Sequence, residues 1–320
     1  MVDLSVVIVS WNVEGLLRAC LRSVVEELAE APSDEPLSAE VFVVDNASSD
    51  GSVEMVATEF PHVKLIANEA NIGFTRGNNQ ALRQAQGRYV CLLNPDCEIL
   101  PGALRRMIDY ADAHPEVGAI GPQLLFPDGS IQSSRRRFPT LRTGFLESTI
   151  LQRCFPHSRA VRDYYCSDQA DDAVQEVDWL VGACLMLRRE ALDQVGLLDE
   201  GFFMYSEELD WCYRAKKAGW KIVYLPEARI VHHEGKSSEQ NLVNRNIHFH
   251  DSKCRFFAKH YGTWQGFLLR LFIFLTFLYQ IVEESVKFVV VARNRQMRRT
   301  RLSMLARVSR HQLKTLLRGG

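Results

Sequence analysis

The sequence lacks the cysteine spacings that form zinc sites or disulfide frameworks. Its eight cysteines include no C-x-x-C pair, and most have apolar neighbours, as small core residues do. A chain of 320 residues can bury a large core and needs no covalent cross-links. We therefore expect free cysteines in a reducing compartment. The short apolar run at Leu4 to Val9 follows no basic segment, which argues against a secretory signal peptide and favours the cytoplasm.

Two glycine-rich nucleotide signatures are also absent. The chain contains neither G-x-G-x-x-G nor the P-loop pattern, so dinucleotide-binding enzymes and P-loop enzymes have no support. Residues 3–20 contain no basic, glycine-rich phosphate loop, which a nucleotidyltransferase on a related sheet would need. The net charge of −1 gives no overall attraction to nucleic acid.

No acidic residue follows Glu284. The same stretch carries these basic residues: Lys287, Arg293, Arg295, Arg298, Arg299, Arg301, Arg307, Arg310, Lys314 and Arg318. Such a block usually contacts anionic lipid or nucleic acid. Because no aromatic ring follows Phe288 to stack on bases, we expect an anionic membrane surface and no nucleic acid.

A long apolar segment precedes this basic block. Between Phe267 and Val282, only Arg270, Thr276 and Gln280 interrupt the apolar residues, and a spanning helix needs about 20 of them. The segment could span a membrane, lie in its interface, or pack as an ordinary amphipathic helix. We expect a first domain over residues 1–262, followed by a membrane-associated helical segment and basic tail over residues 263–320.

Short β-branched runs alternate with helical stretches in the first hundred residues. Strands are predicted at Leu4–Val9, Val41–Val44, Val63–Ile66 and Tyr89–Leu93. This alternation predicts an α/β fold with a mostly parallel central sheet and helices on both faces. Ligands of such sheets bind beyond the carboxyl ends of the strands. From about Pro127 to Val177 the periodicity fades, which predicts a long loop region.

Polar residues follow two of these strands. Asp45 can accept hydrogen bonds from a nucleobase or ribose, or can cap the next helix. Asn94 and Asp96 offer oxygen ligands to a divalent cation, or form an ordinary Asn-Pro turn.

Acidic and histidine pairs occur later in the chain. Glu207, Glu208 and Asp210 begin a predicted helix, where one carboxylate could act as a general base or all could simply favour the helix N-terminus. His232 and His233 follow a short apolar run and are either metal ligands or ordinary histidines.

Seven strings, taken in order, resemble the inverting glycosyltransferases of family 2, which have the GT-A (nucleotide-diphospho-sugar transferase) fold. The similarity is greatest to bacterial rhamnosyltransferase-like members. The strings are VVIVSWN from Val6, VVDNASSDGS from Val43, NIGFTRGNN from Asn71, LLNPDCEI from Leu92, VDWLVGACLMLRREAL from Val177, GLLDEGFFMYSEELDWCYR from Gly196 and VHHEGKSS from Val231.

The resemblance implies a role for each matching residue. The donor-binding positions are Asn12 and Asp45 at the nucleoside, Arg76 and Asn79 near the diphosphate or ribose, and Asn94 and Asp96 in a variant of the D-x-D motif. Glu208 matches the catalytic base, and His232 matches a late metal ligand beside Asp96. Trp179, Gly182, Ala183 and Glu207 match the wall around the acceptor and the donor sugar.

The resemblance also implies a reaction. A nucleotide-sugar donor, by first choice dTDP-rhamnose, would give its sugar to a glycan or polyprenyl-linked acceptor by one inverting displacement, with Mg²⁺ or Mn²⁺ as cofactor. The enzyme would act at the cytoplasmic face of the membrane in polysaccharide biosynthesis. Arg135, Arg136 and Arg137 would hold an acceptor phosphate or form a solvated loop. The alternatives are a catalytically silent membrane-binding protein with this fold and another nucleotide-sugar enzyme.

Overall fold

The computed structural model describes residues 2–29, 37–147, 149, 151–152, 155, 158–233, 242–290 and 294–318. The chain divides into two compact units. The first comprises Met1–Phe138, Tyr165–Phe203 and Glu207–Ser237, and the second comprises Pro139–Tyr164, Met204–Ser206 and Ser238–Gly320. The predicted division after residue 262 falls inside the second unit and stays a prediction. Residues 30–36, residues 234–238 of the last family-like string, Cys154 and Arg293 lie outside the described residues.

The strands of the described chain all belong to the first unit. They are β1 Leu4–Ser10, β2 Ala39–Asp45, β3 Lys64–Ala67, β4 Tyr89–Leu93, β5 Cys97–Ile99, β6 Val117–Leu125, β7 Ile131–Gln132, β8 Arg135–Arg136, β9 Gln175–Val177, β10 Trp179–Leu180, β11 Cys184–Arg188 and β12 Lys221–His232.

One large sheet carries most of these strands, in the order β3-β2-β1-β4-β11-β6-β12-β5. The first four run parallel to one another. Strand β11 lies antiparallel between β4 and β6, and β12 runs parallel to β6. The predicted α/β fold is confirmed, and antiparallel strands extend the parallel half of the sheet.

Helices occur in both units. They are α1 Glu14–Ala29, α2 Ser52–Glu59, α3 Phe74–Leu82, α4 Ala103–Ala113, α5 Leu141–Leu146, α6 Arg159–Tyr164, α7 Arg189–Val195, α8 Glu207–Lys217, α9 Leu242–Tyr261, α10 Thr263–Val290 and α11 Arg295–Leu317. Helices α5, α6, α9, α10 and α11 belong to the second unit. The segment expected to be a long loop contains β7, β8, α5, α6 and β9, so that expectation was wrong for these stretches. Their shortness explains the weak periodicity.

The core of the first unit lies between the sheet and the helices that cover it. Every residue of β1 is buried, because the strand is central and needs apolar side chains on both faces. Helix α1 buries one side, including Leu17, Cys20, Leu21 and Val24. The cysteines of the described chain are free, as expected, and buried.

The second unit is built around three long helices. Helix α10 is the one described helix that is long and apolar enough to cross a membrane, with a hydropathy of 1.6 and a third of its most apolar window buried. It packs against α9 and α11. Length and composition alone are weak evidence for a span, because core helices also pass this test.

Candidate active site

The ends of β1 and β2 form one wall of the candidate site. Ser10 and Asp45 are partners in the strand register and both are buried. The Asp45 Oδ1 atom accepts a hydrogen bond from the Ser48 N–H at 2.8 Å, whereas Asp45 Oδ2 and Ser10 Oγ have no hydrogen-bond partner. Buried polar atoms without partners are costly, so this wall is suited to a polar ligand that supplies the missing bonds.

Asn12 joins the two strand ends. Its backbone N–H donates to Ser48 Oγ at 2.8 Å, and its Oδ1 accepts from the Ser49 N–H at 2.7 Å. Its φ of 52° lies in the left-handed region, which asparagine tolerates better than most residues. Asn12 therefore fixes the loop that carries Asp45 and leads toward α2.

The glycine-containing string before and within α3 lies next to this wall. The Asn46 Nδ2 atom donates to the Gly73 carbonyl at 3.2 Å. A Cβ on Gly73 would lie 2.7 Å from the Phe203 carbonyl oxygen, and the φ of Gly73 is +93°, so only glycine fits. This close approach connects the start of α3 to the chain that leads toward α8.

Arg76 and Asn79 both point toward one short segment before Phe203. The Arg76 side chain is 59% exposed and its Nε lies 3.7 Å from Glu200 Oε2. Asn79 is buried, and its amide donates to the Leu198 carbonyl at 2.9 Å and accepts from the Leu198 N–H at 3.2 Å. Asn79 thus holds this segment in place, and Arg76 keeps an exposed cation.

Asp96 and His232 form a buried pair at the end of β12. The Asp96 Oδ1 and His232 Nε2 atoms are 3.4 Å apart. The Nδ1 atom of His232 lies 2.8 Å from Gln132 Oε1, an acceptor that orients the imidazole so that Nε2 faces Asp96. A carboxylate oxygen and an imidazole nitrogen are donors that Mg²⁺ or Mn²⁺ accepts, so the pair could hold such a cation.

Cys97 offers a third potential ligand within 4.8 Å of Asp96 and His232. Burial raises the pKa of its thiol well above the ordinary value, and the Asp96 charge adds to that effect. Its Sγ also donates to the Ala183 carbonyl at 3.3 Å. The thiol form that this pKa favours is a weaker ligand than a thiolate, so Asp96 and His232 are the main candidates for a donor set.

Residues before β11 connect this pair to Glu208. The Asn94 N–H donates to the Ala183 carbonyl at 2.8 Å. A Cβ on Gly182 would lie 3.4 Å from the Glu208 Cβ, Cγ and Cδ atoms. The Gly182–Ala183 segment therefore touches both the loop that carries Asp96 and the side chain of Glu208.

Helix α8 begins with two adjacent carboxyl groups, those of Glu207 and Glu208. Glu207 is 5% exposed, and its Oε2 has no hydrogen-bond partner. Burial raises the pKa of Glu207 well above its ordinary value, and the neighbouring Glu208 raises it further. Burial therefore favours the protonated form of Glu207. The backbone N–H groups at the N-terminus of α8 act in the opposite direction from burial, because they favour negative charge on the side chains that begin the helix.

The remaining predicted residues are Trp179 and the three arginines at 135–137. Trp179 is 9% exposed and its indole N–H donates to the Arg137 carbonyl at 3.0 Å. Arg135 is not available to an acceptor phosphate, because its buried guanidinium pairs with Asp171 and donates to the Ala170 carbonyl. The Arg136 guanidinium lies over the Tyr165 ring. The possible phosphate role is therefore wrong for Arg135.

Sequence reasoning missed two residues near the metal pair. Gln132 orients His232, and Glu98 Oε1 lies 2.6 Å from His233 Nε2. A lone glutamine on a two-residue strand carries no local signal. The β5–β12 register places Glu98 beside the histidines, and the pairing of β7 with β6 and of β6 with β12 places Gln132 there.

Residues 5–196 match the model described as Glycosyl transferase family 2. The chain belongs to this family. That membership confirms the predicted family and the prediction that the protein is a glycosyltransferase. It also decides against the alternative prediction that the protein is another nucleotide-sugar enzyme.

Three known proteins illustrate the similarity. The chain is 32% identical over 246 residues to the N-acetylglucosaminyl-diphospho-decaprenol L-rhamnosyltransferase of Mycobacterium tuberculosis H37Rv, an alignment that covers 73% of this chain and 79% of the relative. GalNAc-T7, solved with UDP, GalNAc and Mn²⁺, has a TM-score of 0.58 at 17% identity, over 81% of this chain and 51% of that one. The mannosyltransferase PcManGT from Pyrobaculum calidifontis, solved with GDP-Man and Mn²⁺, has a TM-score of 0.55 at 16% identity, over 98% and 87%. These likenesses confirm the GT-A fold.

Proposed function

We propose that this glycosyltransferase transfers rhamnose from dTDP-rhamnose to a hydroxyl group of a polyprenyl-linked glycan, with inversion at the anomeric carbon. The observation that carries the proposal is the Gly182–Ala183 segment, which contacts the Asp96 loop on one side and Glu208 on the other. Donor phosphates and acceptor hydroxyl would therefore meet at this segment. The name of the M. tuberculosis relative supports the sugar and the kind of acceptor.

The donor would bind across the strand ends. The free Asp45 Oδ2 would accept a hydrogen bond from the nucleobase or ribose, and Asn12 would hold the loop that positions it. Arg76 would swing from Glu200 to the diphosphate, which is a stronger partner for an exposed guanidinium. Asn79 would act by fixing the Leu198–Glu200 segment.

Asp96 and His232 would hold a divalent cation, with Asn94 at the start of the same turn. When bound, such a cation neutralises charge on the departing diphosphate. The buried setting of both ligands favours this role, because an ionised carboxylate of low exposure needs a cationic partner. Mn²⁺ in the two solved neighbours supports the class of metal.

Glu208 would act as the general base. It accepts the proton of the acceptor hydroxyl while that oxygen attacks the anomeric carbon from the face opposite the diphosphate. The bond from the anomeric carbon to the diphosphate breaks, and its electron pair leaves with the nucleoside diphosphate. Burial raises the pKa of Glu207, which disfavours a second negative charge beside the base. Trp179, Gly182 and Ala183 would shape the wall behind the acceptor and the donor sugar.

We further propose that the second unit places the enzyme at the cytoplasmic face of a membrane, with α10 lying in the interface. Leu275, Leu278, Val282 and Val286 are 40–62% exposed at helical spacing, so they form one apolar stripe. The charged residues of α10 form ion pairs: Arg270 pairs with Asp251 of α9, Glu284 with Arg298 of α11, and Lys287 with Glu283 of α10 itself. A helix with charged contacts on one side and an apolar stripe on another suits an interfacial position.

The experiment is a transfer assay with purified protein, a panel of nucleotide sugars and N-acetylglucosaminyl-diphospho-polyprenol, with Mg²⁺ or Mn²⁺. The proposal predicts turnover of dTDP-rhamnose that needs the acceptor and stops on addition of EDTA. Turnover of a different sugar would overturn the rhamnose assignment and keep the transferase. Metal-independent turnover would overturn the role given to Asp96 and His232.

A further inference from the structure

A basic cleft lies between α9 and α11 of the second unit. It has a volume of about 250 Å³, and its wall includes Val243, Ile247, Arg307, Arg310, His311 and Lys314. Among the described residues, the lining contains four basic side chains and no carboxylate. The first turns of α9 thus supply apolar surface, and α11 supplies charge.

Three permanent cations of the cleft lack a carboxylate partner among the described residues. Arg307, Arg310 and Lys314 have no ion pair there, whereas Arg270, Arg298 and Arg301 of the long helices each pair with a carboxylate. All three are exposed and recur at helical spacing along α11. Like charges held together repel one another, so an anion in the cleft would relieve that repulsion.

A buried network orients the fourth basic residue. The His311 Nε2 atom lies 2.6 Å from Asp251 Oδ2, and the Arg270 Nη1 atom lies 2.5 Å from Asp251 Oδ1. Arg270 also donates to Gln312 Oε1 at 2.8 Å, which joins all three long helices. Because Asp251 occupies Nε2, the Nδ1 atom of His311 remains for a ligand of the cleft.

We propose that this cleft binds the phosphate of an anionic phospholipid headgroup. The cations match the phosphate charge, and Val243 and Ile247 match the glycerol and upper acyl carbons beside it. The exposed apolar stripe of α10 in the same unit favours a lipid over a soluble phosphate. A lipid bilayer offers anionic headgroups to the cleft and acyl chains to the stripe, whereas a soluble phosphate offers only charge. This inference rests on the membrane association proposed above and adds a defined headgroup site to it.

The test is vesicle flotation of the full chain. One set of vesicles is pure phosphatidylcholine, a second contains phosphatidylglycerol, and a third contains oleate at the same surface potential, which supplies charge without phosphate. The cleft variant is R310Q/K314Q. Its matched control is R295Q/R299Q, which removes the same charge from exposed positions of α11 outside the cleft. A conservative variant, R310K/K314R, keeps the charge.

The proposal predicts that R310Q/K314Q lowers binding to phosphatidylglycerol vesicles on the order of 30-fold, whereas R295Q/R299Q lowers it less than about fivefold. R310K/K314R should bind like the wild type, and the wild type should prefer phosphatidylglycerol to oleate. Equal losses in the two neutralised variants, or equal binding to phosphatidylglycerol and oleate, would overturn the headgroup site while membrane association stands. Loss of inorganic phosphate binding in R310Q/K314Q with unchanged binding to phosphatidylglycerol vesicles would point to a soluble anion and would also overturn it. Wild type that floats with no vesicle would overturn the membrane proposal itself.

Discussion

The Nε2 atom of His232 lies 3.4 Å from Oδ1 of Asp96, and both side chains are buried. Antiparallel pairing of β12 with β5 creates this proximity, because the register places His232 opposite Cys97, the residue after Asp96. The two side chains are thus held by the sheet, which fixes their separation. Such rigid placement favours a preorganised cation site.

Gln132→Leu tests the orientation of His232. The leucine cannot accept the Nδ1 proton, so the imidazole loses the partner that aims Nε2 at Asp96. We expect Mn²⁺ affinity to fall about 10–100-fold, as for other residues that support metal-bound histidines. Mn²⁺ titration of activity or of enzyme-bound metal measures this. Gln194→Leu, at an exposed position of α7, is the control and should leave Mn²⁺ affinity unchanged.

Asp45→Asn tests the nucleotide wall. The amide can still accept the Ser48 N–H, but it presents an N–H₂ group where Oδ2 now awaits a donor. Loss of a charged hydrogen bond costs about 1.5–3 kcal/mol, so donor affinity should fall on the order of 10–100-fold. Isothermal titration with dTDP and dTDP-rhamnose measures this affinity. An unchanged dissociation constant in a folded variant would remove Asp45 from the site.

Much of the first unit could be predicted from its sequence. Strands β1 to β4 are dense apolar runs, and the strings around Asp45, Asp96 and Glu208 are continuous in the chain. The insertion of β11 beside β4, and hence the contact of Gly182 with Glu208, depends on pairing between distant segments and has no local signal. Helix α11 was missed because its charge concealed an apolar periodicity at Leu305 and Val308, which are buried.

Glu207→Gln tests the raised pKa of this buried acid through the pH dependence of stability. The pKa of Glu207 is raised in the folded protein, so unfolding releases its proton over the range between its ordinary and its raised pKa. The stability that Glu207 contributes is therefore complete below the ordinary pKa of about 4.3 and falls as pH rises through this range. Because glutamine is neutral at every pH, the variant does not lose this part of its stability as pH rises.

We accordingly expect Glu207→Gln to raise the melting temperature more at pH 8 than at pH 5. Differential scanning fluorimetry of both proteins across this range measures the difference. A difference between the two proteins that does not change with pH would mean that Glu207 does not titrate abnormally. Asp109→Asn, on the exposed side of α4, is a matched control for loss of one carboxylate.

Arg270→Met tests the charged network that joins the three long helices. Removal of the guanidinium leaves Asp251 and Gln312 without their shared partner in a largely buried setting. We expect a loss of about 3 kcal/mol in the free energy of unfolding of the second unit. Urea denaturation measures it. Arg299→Met, at an exposed position of α11, should change stability by less than about 0.5 kcal/mol.

The most direct test of the account is the transfer rate of Glu208→Gln at saturating donor and acceptor. Glutamine keeps the size of the side chain beside Gly182 but cannot accept the acceptor proton. The account predicts that kcat falls about 10²–10⁴-fold while the dissociation constant for the nucleotide sugar stays within about twofold of wild type. A variant that retains full transfer would contradict the assignment of Glu208 as the base.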